Sequence, residues 1–285
     1  MSVHIVVDST ARFVSDEYKK LPITVIPLHI RFGEQNYLEG VDIDEKQFFE
    51  LLKKATTPPR ILPPSVEEFN RLYARLHAAG NEIISIHLPE RLSRTYENAQ
   101  RAANLLLGQC KIEVIDGSTT SLGLGVLAEA AAHQALKGES IDNIVRYVRG
   151  IIPQIYIVFF ADKLSDLAHV EGIEQAQAFL GTMLGVKPLF TLEEGEILPI
   201  EKVKTREAAI EKLIEFVTEF DAVHQVAIIK NSTEPTDETM FITEQLRETF
   251  PDLVVPVLSY GPALASYIGP NALGVVVYED TSFEV

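Results

Sequence analysis

The sequence predicts an α/β fold in two domains. The first, residues 1–150, is a three-layer domain with a mainly parallel sheet; the second, residues 151–285, is an α/β domain with a mixed sheet. Three observations predict this. Short apolar runs alternate with helical patterns throughout the first half, as βαβ units require. A hairpin pattern, "PLFTLEEGEILPIEKVKT" (188–205), breaks that rhythm in the second half. The length, 285 residues, suits one large or two medium domains, and a hydrophobic fraction of 46% is ample for a sizeable core.

The elements follow in order. "HIVVD" (4–8) is an apolar run ending in Asp8-Ser9-Thr10, a strand followed by a turn or cap. "ITVIPLHIRF" (23–32) is a second extended stretch in which Pro27 argues against a long central ladder. "DEKQFFELLKKA" (44–55) has helical spacing at Phe48, Phe49, Leu51 and Leu52. "TTPPRILPPS" (56–65) carries four prolines and reads as an extended loop, ending in a capping box of Ser65 and Glu68. A helix with Phe69, Leu72, Tyr73 and Leu76 on one face follows. Then come a strand at 82–88, a loop at 89–94, a helix at 95–107, and a strand "KIEVID" (111–116). An Ala-rich helix, 122–138, closes at Gly138, and 140–151 is another amphipathic helix.

In the second half, "QIYIVFFA" (154–161) is a nearly all-apolar strand and 174–185 is helical. The hairpin turns at Glu194-Gly195 and leads to a helix at 206–220. Strands at 224–231, 252–259 and 273–279 are separated by a helix near 237–249 and a short Gly/Pro-flanked piece near 261–269.

Charge narrows the partners. The net charge is −16, which excludes the clustered basic surface that nucleic acid demands and disfavours anionic membranes. Cys110 is the single cysteine, so no intrachain disulfide forms. "SVHIVVDST" has neither a basic n-region nor a long apolar h-region, and no apolar stretch approaches ~18 residues. A cytoplasmic protein without membrane insertion is the expectation.

Ligands of open α/β sheets bind beyond the C-terminal ends of strands. Four loops are candidates: "DST" (8–10), "PPRILPPS" (58–65), "LPERLSRT" (88–95) and "DGSTTS" (116–121). Ser93 and Thr95 sit at a helix start, where free N–H groups favour an anion. Either could equally be a plain N-cap, as could Asp8, Ser9 and Thr10. There is no GxGxxG after the first strand, no Walker A pattern and no G-x-S-x-G elbow. The histidines, at 4, 29, 77, 87, 133, 169 and 224, do not form metal-ligand spacings, so neither a metal nor a cofactor is expected. His87 ends a strand and reads as a packing or surface histidine.

Taken together, "VVDST" (6–10), "PLHIRFGEQNYLEGVDIDEKQFFELL" (27–52), "LSRTYENAQ" (92–100), "VID" (114–116), "AQAFLGTMLGVKPLF" (176–190) and "GPALASYIGPNALG" (261–274) carry a family resemblance. The chain resembles, nearly end to end, the DegV family of bacterial fatty-acid-binding proteins, some of which serve as acyl-carrier subunits of fatty acid kinase. The resemblance implies a long-chain fatty acid held between two α/β domains, its carboxylate at Ser93 and its tail in an apolar tunnel. Together with the strand-end loops, it makes Ser93, Arg94, Thr95, Ile61, Leu62, Ser9, Thr10, Ser118 and Tyr267 the expected head-group residues. Phe159, Phe179 and Leu184 would wall the tunnel with Ile30, Phe32 and Leu189, all of which also suit an ordinary core.

Several positions depart from the family pattern. Arg94 stands where the family has glycine, and Ile61 where it has threonine. Val170-Glu171-Gly172-Ile173 lacks the family's arginine, and Tyr267 replaces its histidine. In kinase-associated members that arginine and histidine handle the phosphoryl group. Arg94 either binds the carboxylate through its fork of donors or swings to solvent. The expectation is therefore a non-enzymatic lipid-binding protein. The alternatives are an acyl-presenting partner of a separate fatty acid kinase and, last, a serine hydrolase using Ser93 with His87 as base.

Overall fold

The computed structural model describes residues 2–55, 57–161 and 185–279. They divide into two compact units: Met1–Asp44 with Ala55–Pro153, and Glu45–Lys54 with Gln154–Val285.

The first unit is built on four parallel strands, β1 (Ser2–Asp8), β2 (Ile23–Ile26), β6 (Asn81–His87) and β7 (Ile112–Asp116), in the order β2-β1-β6-β7. Helices α2 (Val66–Ala78) and α3 (Thr95–Leu105) cover one face. There Phe69, Leu72, Tyr73 and Leu76 of α2 and Ala99 and Ala102 of α3 pack on Val6 and Ile83. Helices α4 (Leu122–Leu136) and α5 (Ile141–Ile151) cover the opposite face, α4 against β1 and α5 against β6 and β7. The strands are buried on both sides, which is why they read as continuous apolar runs rather than alternating ones. The chain leaves β1 toward β2 on one side and returns to β6 on the other. The C-terminal ends of β1 and β6 therefore form the topological switch point of the sheet.

The stretch 23–32 is two strands rather than one. β2 ends at Ile26, and after Pro27 the chain enters β3 (His29–Phe32) of a separate antiparallel sheet. Pro27 has no N–H to continue the first ladder, so the chain changes sheets there. β3 is flanked by β4 (Gln35–Leu38) and β5 (Arg60–Leu62). β5 lies inside the proline-rich segment expected to be a loop. Its three residues fall between Pro59 and Pro63, so the prolines bound the strand rather than interrupt it. The capping box at the start of α2 is present in both directions, between Ser65 and Glu68.

The second unit carries a six-stranded mixed sheet. β8 (Ile155–Phe160), β9 (Lys187–Glu193), β10 (Glu196–Val203), β11 (Val223–Lys230), β12 (Val257–Ser259) and β13 (Leu273–Glu279) lie in the order β10-β9-β8-β13-β11-β12. Only β11 and β12 pair in parallel. The β9–β10 hairpin turns at Glu194 (φ 48°) and Gly195 (φ 78°), the two left-handed residues that a type I′ turn needs. Helices α6 (Arg206–Thr218) and α7 (Asp237–Thr249) pack over a core that includes Val158, Phe160, Leu213, Ile228, Ile242 and Val275. α8 (Gly261–Ile268) follows β12. The stretch read as a strand at 252–259 pairs only from Val257, because Pro256 cannot donate to the ladder. α1 (Glu45–Lys54), which interrupts the first unit in sequence, belongs to this one; its Phe49 ring meets Tyr260 edge-on at 6.2 Å. The helix expected at 174–185 lies outside the described residues. No helix among the described residues is long and apolar enough to cross a membrane.

One close approach fixes α4 on the first unit. A Cβ on Gly125 would lie 1.9 Å from the carbonyl oxygen of Arg12, backbone against backbone. Gly125→Ala is expected to destabilise the protein by about 3 kcal/mol or more, since a backbone shift is unavoidable. Gly150→Ala in α5, where a Cβ meets nothing within 4 Å, should instead stabilise by about 0.5–1 kcal/mol. Urea unfolding of the two variants measures the contrast.

The polar rim of the parallel sheet as candidate functional site

Asp8 ends β1 and is completely buried. Its Oδ1 accepts from the Thr10 amide at 3.1 Å and from the Thr10 hydroxyl. Its Oδ2 accepts from the Leu88 amide at 2.9 Å and faces His87 Nδ1 at 3.1 Å. His87 Nε2 is 2.7 Å from the Ser85 hydroxyl, which in turn receives the Tyr73 hydroxyl at 2.8 Å. Tyr73, Ser85 and His87 are all at 0% exposure. One proton order satisfies the whole chain: Tyr73 to Ser85, Ser85 to Nε2, and the Nδ1 proton to Asp8. Burial works to raise the Asp8 carboxyl, but the hydrogen bonds from His87, Thr10 and Leu88 outweigh it and hold it below its usual range. Burial pushes the Tyr73 hydroxyl far up, so it remains a donor. This is the geometry of a Ser-His-Asp relay, but it is sealed in the core with a tyrosine where a substrate would need to be. Both ring nitrogens of His87 are engaged, and neither faces Ser93.

The turn after Asp8 is held from the other side. Ser9 Oγ donates to Glu39 Oε2 at 2.8 Å and accepts the Leu28 amide at 3.0 Å. Arg12 reaches Glu39 Oε1 at 3.1 Å and the carbonyls of Ser9 and Ala11. Burial is the largest influence on Glu39 and leaves its carboxyl above the usual range in spite of Arg12 and Ser9. The hydroxyls of Ser9 and Thr10, candidate ligand groups by sequence, thus serve the turn itself.

The loop after β6 is pinned by a second strand-terminal carboxylate. Asp116 ends β7; its Oδ2 accepts the Glu90 amide at 3.0 Å and its Oδ1 the Ser118 amide at 2.7 Å. The loop then delivers Ser93 and Thr95 to the start of α3. Neither caps the helix in the ordinary way: the N-cap residue is Arg94, without a side-chain cap bond. Ser93 Oγ lies 2.8 Å from Thr95 Oγ1 and accepts the Thr95 amide at 3.3 Å. The two hydroxyls share one proton between them, which leaves the other free for an outside acceptor. The Arg94 side chain is 71% exposed and forms a two-point pair with Glu97 at 2.8 and 3.1 Å, so its guanidinium lies in solvent. Asn98 of α3 donates to the Pro64 carbonyl at 2.9 Å, which draws the 60–65 segment to this helix. On that segment Ile61 and Leu62 are half-buried, Ile61 in register with the buried Ile30.

The last rim loop, 117–121, runs from β7 across the end of β6, where Gly117 N donates to His87 O at 2.8 Å. It reaches β1, where Ser121 bridges Ala11 and accepts from the Arg12 amide at 2.9 Å. Ser118 (φ 51°) and Ser121 (φ 53°) are both left-handed. Ser121 is the N-cap residue of α4, yet its side chain makes no cap bond. Thr119 Oγ1 and Ser121 Oγ are buried without a hydrogen-bond partner; among the described residues only Asn70 Oδ1 shares that state. Each such hydroxyl costs about 1–3 kcal/mol while unpaired. The sequence marks this loop as a whole, 116–121, and Ser118 within it, but does not single out Thr119 or Ser121, because burial and a positive φ leave no trace in residue type.

The remaining candidates lie in the second unit or outside the described residues. Phe159 is 2% exposed and stacks on Phe190 at 5.5 Å; Leu189 belongs to the mixed-sheet core. Tyr267 lies half-buried in α8. Phe179 and Leu184 are outside the described residues. The second unit has its own cleft of about 740 Å³, walled by α1 and by residues 231–234 and 270–271. Glu45, Glu50 and Glu234 offset Lys46 and Lys53 there, so it offers an anion no net attraction.

A parallel sheet with a hydroxyl-rich rim, continued in the chain by a mixed-sheet unit, defines a two-domain α/β protein. The chain matches the family described as "Uncharacterised protein, DegV family" over residues 2–280, and it belongs to that family. It is 30% identical over 280 residues to Protein DegV of Bacillus subtilis (strain 168), covering 96% of this chain and 98% of that one. A DegV domain-containing protein of Streptomyces coelicolor, SCO2569, is 32% identical over 277 residues, covering 96% and 98%. Among solved structures, the fatty acid binding DegV family protein SAG1342 from Streptococcus agalactiae superposes with a TM-score of 0.89 at 22% identity, over 99% of this chain and all of that one. DegV from Bacillus subtilis, described as a fatty acid binding protein, gives 0.85 at 28% identity over 98% and 100%.

The two buried carboxylates predict opposite pH trends. Asp8 is held below its usual range, so its stabilisation is present above about pH 4 and is lost as pH falls through the folded value. Glu39 is held above its usual range, so its contribution is full at low pH and is lost as pH rises through its folded value. Thermal unfolding from pH 7 to 3 should show the Asp8→Asn penalty shrinking and the Glu39→Gln penalty growing.

Proposed function

We propose that the chain binds a long-chain fatty acid without catalysing a reaction on it, with the carboxylate at the start of α3 and the acyl tail in an apolar tunnel. The observation that carries this is the Ser93–Thr95 pair. It holds one hydroxyl proton to donate, at a helix start with no side-chain cap, beside a segment drawn in by Asn98. A carboxylate oxygen there meets a hydroxyl donor and the positive end of α3. The description of the 28%-identical Bacillus subtilis structure as a fatty acid binding protein supports the same ligand.

Magnitudes favour the tail as the source of affinity and the head group as the source of orientation. A buried methylene contributes roughly 0.8 kcal/mol, so ~14 of them give about 11 kcal/mol before ordering costs. A hydroxyl bond to a carboxylate contributes about 1.5–3 kcal/mol. Ile61, in place of a hydroxyl residue, removes one such bond and adds apolar surface, which leaves Ser93 the principal anchor. Arg94, paired with Glu97, has no part in it.

Native mass spectrometry of the purified protein should show an adduct of long-chain fatty acid mass. Ser93→Ala should weaken binding about tenfold in a fatty-acid displacement assay. Arg94→Ala should leave affinity within about twofold, as a solvent-exposed pair implies. Protein that carries no acid and takes none up would refute the proposal.

A further inference from the structure

We propose that Thr119 and Ser121, at the N-terminus of α4, form a second seat for the ligand's carboxylate, so that its two oxygens are met by two rim loops rather than one. This rests on the fatty-acid reading above and extends it to two residues of the 116–121 loop, a candidate loop by sequence in which neither was singled out.

α4 is fifteen residues long and begins at the rim, beside the switch point of the sheet. The amides of its first turn, Leu122 and Gly123, have no acceptor within the helix. Ser121 occupies the N-cap position, where serine normally bonds the amide two or three residues on. Here its backbone, φ 53° and ψ −131°, holds the hydroxyl away from that bond. The hydroxyl is at 0% exposure and has no partner; Thr119, two residues before it and 3% exposed, has none either. The helix start therefore joins two hydroxyls without hydrogen-bond partners to the positive end of a long helix. A carboxylate oxygen is an acceptor for both hydroxyl protons and for the first-turn amides.

The neighbouring rim groups show why these two differ. Ser9 is engaged by Glu39 and Leu28, Thr10 by Asp8, and Ser118 by Asp116. The titratable groups of the rim, Asp8, Glu39 and Asp116, are likewise held by their own loops. The hydroxyls at 119 and 121 have no such partner, and the Ser93–Thr95 pair keeps one spare proton. The 88–95 and 117–121 loops both lie over the end of β6, Leu88 following it directly and Gly117 bonded to His87 O.

The test uses delipidated full-length protein, oleic acid and methyl oleate, with affinities from calorimetry and melting temperatures without ligand. Ser121→Ala and Thr119→Val keep shape and remove only the hydroxyl. Each should weaken oleic acid about tenfold, leave methyl oleate within about twofold, and leave the melting temperature of the ligand-free protein unchanged or raised. The opposite signs on binding and stability mark a ligand seat, because a hydroxyl with a structural role would lower both. Equal affinity for the acid in wild type and variants would overturn the seat, as would equal losses for acid and ester or a lowered melting temperature. Should Ser121→Ala fail to fold, Ser121→Gly, which relieves the left-handed backbone, carries the same expectations. Failure of the wild type to bind oleic acid at all would instead refute the fatty-acid reading itself.

Discussion

One buried carboxylate decides where the rim loops of this protein lie. Asp8 is met by the Thr10 amide and hydroxyl, the Leu88 amide and the Nδ1 of His87. An isolated carboxylate in such a place costs several kcal/mol, so the partners must arrive together with it. Each belongs to a different piece of the rim. Thr10 begins the loop after β1, Leu88 the loop after β6, and His87 connects through Ser85 to Tyr73 of α2. To satisfy Asp8 is to dock β1 against β6 at the switch point, where an α/β sheet opens its ligand crevice. Asp116 repeats the device one strand along.

The rim thereby divides its polar groups into two sets. Ser9, Thr10, Ser85 and Ser118 are bonded to fixed neighbours, and those bonds hold the loops in place before any ligand arrives. Ser93 with Thr95, and Thr119 with Ser121, are carried on the same loops but retain donor capacity. Preorganisation of this kind lowers the ordering cost of binding, so a few hydroxyls can orient a carboxylate while an acyl tail supplies the affinity. The net charge of the whole chain, −16, gives no long-range attraction for an anion, so under the proposed reading recognition falls to short-range donors.

What the sequence disclosed and what it hid follow one physical line. Signals that act within a few residues were legible: the Ser65–Glu68 capping box, the turn at Glu194-Gly195, the apolar strands and the helix faces. Signals that close over long separations were not. β5 is three residues whose partner lies about thirty positions away on β3, and among prolines no local pattern reveals it. α1 belongs to a unit whose first strand begins about a hundred residues later and packs with α8 of that unit, so no composition shift marks it as part of the second unit. His87 reads in the sequence as a packing or surface histidine, and its full burial against Asp8 is hidden because that carboxylate is 79 positions distant. The family resemblance located Ser93 but was silent on Ser121, whose peculiarity lies in φ and in what surrounds it.

Positions 121 and 125, one helical turn apart, show how the backbone enters the site. At 125 the chain has glycine because nothing larger fits: α4 lies directly against the Arg12 carbonyl. At 121 the backbone is left-handed, a conformation in which glycine is free of strain and serine carries about 1–2 kcal/mol of it. The sequence nonetheless has serine there, and buries its hydroxyl unbonded at a further cost. Both penalties follow from one geometric demand. The loop must pair Ser121 with Ala11 and enter α4 within a single residue, and the close approach at Gly125 leaves no slack for a gentler turn. The sharp turn could be made by glycine alone; the hydroxyl could not. A donor is what serine adds at this place, and a donor lowers the energy of the protein only when an acceptor reaches it.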